Sequence, residues 1–346
     1  MIAVPNISRL STMDRTLGDV GDYLRRKGVQ NANCNADGSI WIEEAGRGKY
    51  LSPHTLSEAQ RQLMVSKIAS ETGAGPITKM NSRMSFDLQT PYHVRGQAFR
   101  DPVGPGWIVM FRNHAVTVLD DSQVVFRRTY HDRDAYPLRS SSFHDGLVEA
   151  VRRRMNILIA GAQNAGKTTL LDWVMKQFGK VRPDARLIVM QDSDELQITQ
   201  ADHVKLFHGV KQQRFERNGS SVAYTYEPAD LITDVLRCSA DAYLDGEKRS
   251  PEAVLGWVLG SNNGARGMLT TIHANSALHA LYRMEQLIAA SPRANFSQSA
   301  RELVASSVDA VVYCEYSEET RERWVGDFQW IREVKNGEYV LQDVIQ

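Results

Sequence analysis

The sequence has few cysteines, no excess of charge of either sign and no long hydrophobic run. Its three cysteines, Cys34, Cys238 and Cys314, lie far apart and outside any metal-ligand spacing, which argues against structural zinc and for a reducing compartment. Lysine plus arginine and aspartate plus glutamate both number 41, so the chain lacks the positive field typical of nucleic-acid-binding proteins. No stretch reaches the roughly 18 apolar residues of a membrane helix. No basic segment followed by an apolar core opens the chain, so we expect a soluble protein without a secretory signal.

What the chain does have is the composition of a globular protein, since 42% of its residues are hydrophobic and 24% are charged. At roughly 150 residues per domain, its 346 residues predict two domains. The first part is dominated by short strands, a polar stretch follows, and helices then alternate with strands. We therefore predict a smaller α+β domain over 1–131, a linker over 132–142, and an α/β domain with a mostly parallel sheet over 143–346.

Hydrophobic periodicity predicts the individual elements. In the first domain it predicts helices over 12–27 and 57–72 and strands over 40–42, 92–99 and 107–112. In the second domain it predicts helices over 143–154, 167–178, 229–237, 251–259 and 277–290. The strands predicted there are 155–160, 186–191, 242–244, 268–272, 309–314, 328–334 and 339–344. Asn336-Gly337, between the last two strands, predicts a hairpin turn.

One segment matches the phosphate-loop pattern of a glycine, four residues and then Gly-Lys-Ser/Thr. Residues 161–168 read Gly-Ala-Gln-Asn-Ala-Gly-Lys-Thr, after a predicted strand and before a predicted helix, which is the context that the pattern requires. Glycines allow backbone amides to turn inward at the positive end of a helix, where they bind anions. Lys167 would place its charge on the β- and γ-phosphates, and Thr168 would offer a hydroxyl to Mg²⁺. The segment therefore predicts a nucleotide site.

Hydrolysis also needs carboxylates, and two acidic clusters follow predicted strands downstream of the phosphate loop. One is Gln191-Asp-Ser-Asp-Glu195 and the other is Asp245-Gly-Glu247. Open α/β sheets bind ligands at the carboxyl ends of their strands, so we expect both clusters beside the nucleotide. Solvated loop carboxylates are the alternative. A further strand ends at His273, which could sense the γ-phosphate or only cap the next helix.

Taken in this order, the four segments resemble the type II/type IV secretion traffic ATPases. The resemblance spans nearly the whole second domain and is carried by residues 161–169, 192–196, 236–249 and 264–275. A weaker likeness in the first domain, at 35–41 and 95–112, resembles the branch that serves conjugation and type IV secretion. Pilus-retraction ATPases are similar in length, but their N-terminal entry motif is not evident.

The resemblance implies a RecA-like P-loop NTPase C-terminal domain with a smaller α+β N-terminal domain, assembled as a homo-hexamer. It implies that ATP hydrolysis with Mg²⁺ drives interdomain motion for the handling of substrates or pilus subunits. The implied location is cytoplasmic, peripheral at the cytoplasmic face of the bacterial inner membrane. The implied partners are components of a membrane-embedded secretion or conjugation machine, and the balanced charge predicts no stable nucleic-acid binding.

The resemblance also implies roles for individual residues. Glu247 and Thr168 would hold Mg²⁺, with Glu247 also holding its water. Asp192 and Glu195 would orient the attacking water. His273 would link nucleotide state to structure. The nucleotide would be bound by Gly161, Ala162, Gln163, Asn164, Ala165, Gly166, Lys167, Thr168 and Thr169. For the arginine that neutralises the transition state, Arg237 is the best candidate, or an arginine from a neighbouring subunit. The other candidates in this chain are Arg95, Arg112, Arg214 and Arg217. For each of the five, a surface salt bridge is the alternative.

Four departures from the family pattern keep other functions open. Gln191 stands where glutamate is usual, Asp245 where an apolar residue is usual, and Lys248 where a small apolar residue is common. The segment before Asp241 reads Ser239-Ala240 instead of ending in proline. The neutral Gln191 favours a nucleotide-gated assembly subunit with weak hydrolysis as one alternative. A type IV pilus assembly or retraction ATPase is a second, and a DNA-translocating motor, which the balanced charge disfavours, is a third.

Overall fold

The computed structural model of the chain describes residues 12–89, 91–114, 137–215, 220–294 and 299–346. The described residues form two compact units, neither of which is a single stretch of chain. The first unit takes its residues from Met1–Thr117, Val204–Tyr226 and Arg237–Ser239, and the second from Val118–His203, Glu227–Leu236 and Ala240–Gln346. The domain boundaries drawn from the sequence stay a prediction, and residues 132–136 of the predicted linker lie outside the described residues.

The N-terminal part of the first unit is an antiparallel sheet with two helices. Its elements are α1 (Thr12–Leu24), β1 (Val29–Cys34), β2 (Ser39–Glu44), β3 (Gly48–Thr55), α2 (Glu58–Thr72), β4 (Arg83–Leu88), β5 (Val94–Phe99) and β6 (Ile108–Asn113). The strands lie in the order β3-β2-β1-β6-β5-β4. Helix α2 begins where predicted, because Ser57 caps it and forms a capping box with Gln60. The predicted α+β character is confirmed, but β1, β3 and β4 were missed from the sequence.

In the region that begins at residue 143, helices alternate with strands from residue 143 to residue 191 and again from residue 228 to residue 290. The elements are α3 (Phe143–Arg152), β7 (Ile157–Gly161), α4 (Lys167–Val181), β8 (Leu187–Gln191), β9 (His203–Phe207), β10 (Val210–Phe215), β11 (Ser221–Tyr226), α5 (Pro228–Val235), β12 (Ala242–Glu247), α6 (Pro251–Asn262), β13 (Met268–His273), α7 (Ala277–Ala290), α8 (Ala300–Ser307), β14 (Ala310–Tyr316), β15 (Arg323–Lys335) and β16 (Glu338–Asp343). Each strand and helix predicted for this region is present, with ends displaced by a few residues.

The second unit is built on a sheet whose strands lie in the order β16-β15-β14-β7-β13-β12-β8. Strands β14, β7, β13, β12 and β8 are parallel. Strand β15 pairs antiparallel with β14, and β16 pairs antiparallel with β15. Leu171, Val174 and Phe178 of α4 pack into the same core as Ile157 and Ile159 of β7. This packing covers the central strands with helices, so the predicted α/β class is confirmed.

The hairpin of β10 and β11 belongs to the first unit although its sequence lies within the predicted second domain. The backbone amide of Ser82 donates to Oε1 of buried Gln212 at 2.8 Å, and Arg83 donates to the Tyr224 hydroxyl at 3.1 Å. The polar sequence of this hairpin gave no strand signal, so it was not predicted. No helix among the described residues is both long and apolar enough to span a bilayer.

Candidate active site

The parallel strands of the second unit bring the four predicted segments to one edge of the sheet. Asp245 on β12 lies opposite Met190 on β8, and His273 on β13 lies opposite Gly161 on β7. Strands β12 and β13 are also neighbours. The acidic turn after β8, the end of β12, the end of β13 and the start of the phosphate loop therefore lie side by side, as the sequence predicted.

The phosphate loop, residues 161–168, runs from β7 into α4. Gly161 permits a close backbone approach, because a Cβ atom there would lie 2.5 Å from the carbonyl oxygen of Cys314. Gly166 precedes the first residue of α4 in the left-handed region, with a φ of 85°. Residues 162–164 are exposed, so the loop presents a helix N-terminus to solvent. Such an arrangement is suited to bind an anion.

Lys167 is 7% exposed, and its ammonium group is turned into the loop. Its Nζ atom donates to the carbonyl oxygens of Gly161, at 3.1 Å, and Ala162, at 2.8 Å. Nζ also lies 3.1 Å from Nδ1 of His273. Burial lowers the pKa of Lys167, and the nearby Glu247 carboxylate partly offsets that shift. A desolvated cation therefore stands at the base of the phosphate loop.

His273 joins Lys167 to Glu247. A ring that accepts a hydrogen bond from Lys167 at Nδ1 carries its proton on Nε2, which faces the carboxylate. Nε2 lies 2.7 Å from Oε1 of Glu247, although among the described residues no hydrogen bond of good geometry reaches that oxygen. The Glu247 side chain is 17% exposed. The structure thus brings together three of the residues that the sequence singled out.

Arg249 also contacts Glu247, a contact that was not predicted. Its guanidinium donates to Oε2 of Glu247 at 2.8 Å. This hydrogen bond, together with the charges of Glu247, Asp192 and Glu195, raises the pKa of Arg249. The feature of the sequence that could have indicated this contact is the position of Arg249, two residues after the Gly-Glu pair. Arg249 therefore links Glu247 electrostatically to the acidic turn.

Asp192 and Glu195 are exposed in the turn that follows β8. The hydroxyl of Ser193 lies 3.0 Å from Oε1 of Glu195 and 3.3 Å from Oδ1 of Asp192, so its one proton can be donated to either carboxylate. The two carboxylates are therefore held in one turn, near enough to Arg249 to influence its pKa.

Gln191, the neutral residue at the start of this turn, is buried. Its Oε1 accepts hydrogen bonds from the backbone amides of Glu195 and Leu196, both at 3.3 Å. Its Nε2 donates to Oδ1 of Asp194 at 3.1 Å. The side chain amide therefore organises the backbone of the acidic turn.

Arg323 is a second contact that the sequence did not predict. It lies on β15, and its Nε donates to the carbonyl oxygen of Asn164 in the phosphate loop at 2.6 Å. Its guanidinium stacks on the ring of Tyr316, 4.8 Å from the centroid. A cation from an antiparallel strand therefore contacts the loop, and no local motif indicates it.

The predicted arginines lie elsewhere among the described residues. The predicted helix over 229–237 ends at Val235 in the structure, so Arg237 lies beyond it, exposed, in a stretch that belongs to the first unit. Arg214 stacks on Tyr224, and Arg95 donates to Asp87 at 3.1 Å. Arg112 is exposed at the end of β6, and Arg217 lies outside the described residues. A transition-state role for any of them stays a prediction.

A cavity of about 540 Å³ lies beside the phosphate loop and helix α7. Gln163, His273, His279 and Arg283 contribute to its lining, which contains no carboxylate among the described residues. Arg283 gives this lining a positive charge, which is compatible with an anionic ligand next to the loop.

Comparison with known proteins identifies the family. A family model described as "Type II/IV secretion system protein" matches residues 109–319, which is more than half of the chain. The conjugal transfer protein TrbB of Rhizobium radiobacter is 28% identical over 285 residues, covering 82% of this chain and 78% of that protein. The type IV secretion system protein VirB11 of Bartonella quintana is 30% identical over 202 residues, covering 57% of this chain and 53% of that protein.

A solved structure agrees with this assignment at the level of the fold. The crystal structure of the VirB11 ATPase from the Brucella suis type IV secretion system, in complex with sulphate, superimposes with a TM-score of 0.72. The superposition covers 94% of this chain and 96% of the VirB11 chain, and the two sequences are 20% identical. The fold and family predicted from the sequence are thus confirmed. The chain belongs to the type II/type IV secretion traffic ATPase family, in the branch that serves conjugation and type IV secretion.

Proposed function

We propose that this chain is the ATP-hydrolysing, hexameric motor of a conjugation or type IV secretion machine. Mg-ATP turnover would drive motion between its domains and so move a substrate or pilus subunit. The observation that carries the proposal is the chain of contacts from Lys167 through His273 to Glu247 beside the phosphate loop. It supports the proposal because Lys167, which would hold the phosphates, and Glu247, which would serve hydrolysis, belong to one short side-chain network.

Nucleotide binding would begin with an exchange of partners at Lys167. In the structure its ammonium donates to two loop carbonyl oxygens, and both bonds are of the kind that a phosphate oxygen can replace. The amides at the start of α4 would hold the same phosphates from the other side. Since Lys167 is already desolvated, its attraction to a phosphate is stronger than it would be in water.

The residues present fit a magnesium ion. Thr168 is exposed in the first turn of α4, and Glu247 presents an oxygen that lacks a well-oriented hydrogen bond among the described residues. The described residues contain no group of three or more side chains that could hold a metal alone. Two protein oxygens completed by substrate phosphates and water are the usual magnesium arrangement. When bound there, Mg²⁺ would neutralise charge on the β- and γ-phosphates.

The remaining residues of the site would act on water and on the transition state. Asp192 and Glu195, both within hydrogen-bond distance of the Ser193 hydroxyl, would orient the attacking water. His273 would report the nucleotide, because its Nδ1 loses its hydrogen-bond donor when Lys167 turns to the phosphates. Arg237, or an arginine from a neighbouring subunit, would neutralise the charge that develops on the γ-phosphoryl group.

The assembly and its location are inferred from the relatives. TrbB and VirB11 are named as conjugal transfer and type IV secretion proteins. We infer that this chain forms a homo-hexamer, docked on the membrane machine at the cytoplasmic face of the inner membrane. The mass in solution tests the ring: we expect six times the mass of one chain with Mg-ATP. A mass of one chain both with and without nucleotide would contradict it.

Phosphate release from ATP tests the enzymatic part. Replacing Lys167→Ala removes the phosphate-binding cation, and we expect turnover to fall by about 10²–10³-fold. The matched control is Lys176→Ala on the same helix, where the exposed lysine forms an ion pair with half-buried Asp172 at 3.3 Å. This control should keep the rate of the unmodified chain. An unchanged rate in the Lys167 variant would remove the assigned mechanism.

A further inference from the structure

Two of the residues that depart from the family pattern, Asp245 and Lys248, contact each other. The Lys248 ammonium donates to a carboxylate oxygen of Asp245, and the two form a buried ion pair. The Lys248 side chain is 0% exposed and the Asp245 side chain 5%. Desolvation of one such charge alone is costly, so each residue requires the other. The two departures therefore form one structural feature.

The ion pair spans an irregularity in the sheet. Leu244 on β12 lies opposite Leu269, whereas Glu247 lies opposite Thr271. Three steps along β12 thus correspond to two along β13, so β12 contains an extra residue, a β-bulge, at 245–246. A bulge bends its strand and re-aims the side chains that follow it.

Three interactions hold this bulge. The hydroxyl of Thr270 donates to the carbonyl oxygen of Gly246 at 2.6 Å, and the backbone amide of Lys248 donates to the carbonyl oxygen of Thr271 at 2.8 Å. The third is the ion pair, which connects the residue before Gly246 to the residue after Glu247. The backbone of Gly246 and Glu247 is therefore enclosed between two joined side chains.

We propose that Asp245 and Lys248 are positioning residues, whose ion pair closes the bulge and thereby directs the Glu247 carboxylate toward His273 and Arg249. The importance of Glu247 in this inference rests on the proposed function, whereas the contact between Asp245 and Lys248 is independent of it. No direct chemistry is assigned to Asp245, because that carboxylate is buried and paired with Lys248.

A double-mutant cycle tests this role. Lys248→Met and Asp245→Leu each leave one charge buried without its partner, whereas the double variant replaces the pair by apolar side chains of similar size. The chain is compared in four forms, by melting temperature without nucleotide, ATP affinity and the rate of phosphate release. Lys176→Met, which removes an exposed lysine from its ion pair with Asp172 in the same unit, is the control and should leave all three nearly unchanged.

Each single variant should lose roughly 6–20 °C of melting temperature, the usual cost of breaking a buried pair in a unit of this size. Below that temperature, the folded single variants should turn over ATP at least tenfold more slowly, with Kd for ATP changed less than threefold. The double variant should regain most of both losses, because apolar pairs often replace buried ion pairs without penalty. If a single variant fails to fold, Asp245→Asn, which keeps an oxygen for the ammonium, takes its place.

Three results would overturn the inference. Additive losses of melting temperature would mean that the residues are not coupled. Folded single variants with unchanged turnover would leave the pair a structural role only. A double variant as stable as the unmodified chain yet inactive would mean that Asp245 acts directly. If the unmodified chain hydrolyses no ATP, the proposed function fails, while the melting temperatures still decide whether the pair is coupled.

Discussion

Replacing Gln191→Glu gives the most informative perturbation of the acidic turn. A glutamate there is the residue usual in the family. From the family pattern alone, the variant would regain an activator of water and its turnover would rise. The contacts predict a different result. A carboxylate in place of the amide would face Oδ1 of Asp194, which the present Nε2 atom approaches to 3.1 Å.

The size of the effect follows from that distance. Two unit charges about 3 Å apart repel by roughly 5 kcal/mol at an effective dielectric constant of about 20. Asp194 is exposed, so solvent and small movements screen much of this repulsion. We expect a net loss of about 2 kcal/mol, which corresponds to roughly 4–8 °C in melting temperature for a unit of about 200 residues.

The assay combines thermal unfolding with phosphate release. Gln191→Glu should melt at a lower temperature and should not release phosphate faster than the unmodified chain. The double variant Gln191→Glu/Asp194→Asn exchanges the carboxylate and the amide, so it should recover most of the lost stability. A single variant that melts no lower and hydrolyses ATP much faster would refute this reasoning, and it would support a nucleotide-gated subunit whose activity Gln191 suppresses.

Two further variants test contacts of the phosphate loop. Arg323→Ala removes the hydrogen bond to Asn164, so Kd for ATP should rise by about 3–10-fold, as expected for the loss of about 1 kcal/mol. The control in this affinity titration is Arg321→Ala, which replaces an exposed arginine near Arg323. Equal effects of the two variants would count against a specific contact of Arg323. Gly161→Ala places a methyl group 2.5 Å from the Cys314 carbonyl oxygen, so the melting temperature should fall by several degrees, about 1–3 kcal/mol for overpacking. An unchanged melting temperature would mean that β7 and β14 separate without cost.

The phosphate loop and the strands that carry the other segments could be predicted because their signals are local. The loop pattern stands between an apolar strand and a helix, and each following strand is a short apolar run. Parallel strands share the direction of their carboxyl ends, so the edge where Asp192, Glu247 and His273 meet followed from the order of the elements.

What the sequence did not indicate depends on contacts between distant or irregular parts of the chain. Strand β1 was missed because its buried positions include Asn31 and Asn33, polar residues that interrupt the expected alternation. Arg323 reaches the phosphate loop from a strand about 160 residues away. Asp245 and Lys248 appeared as two separate departures, because a bulge, not a regular strand, brings them together.

The most direct test of the account is the measurement of ATP affinity and phosphate release with Glu247→Gln. The amide keeps the shape of the side chain but removes the charge that His273 and Arg249 face. Because Lys167 and the loop amides remain, Kd for ATP should stay within a few-fold of the value for the unmodified chain. Turnover should fall by about 10²–10³-fold. A Glu247 variant that hydrolyses ATP at the unmodified rate would contradict the central claim that this carboxylate serves hydrolysis.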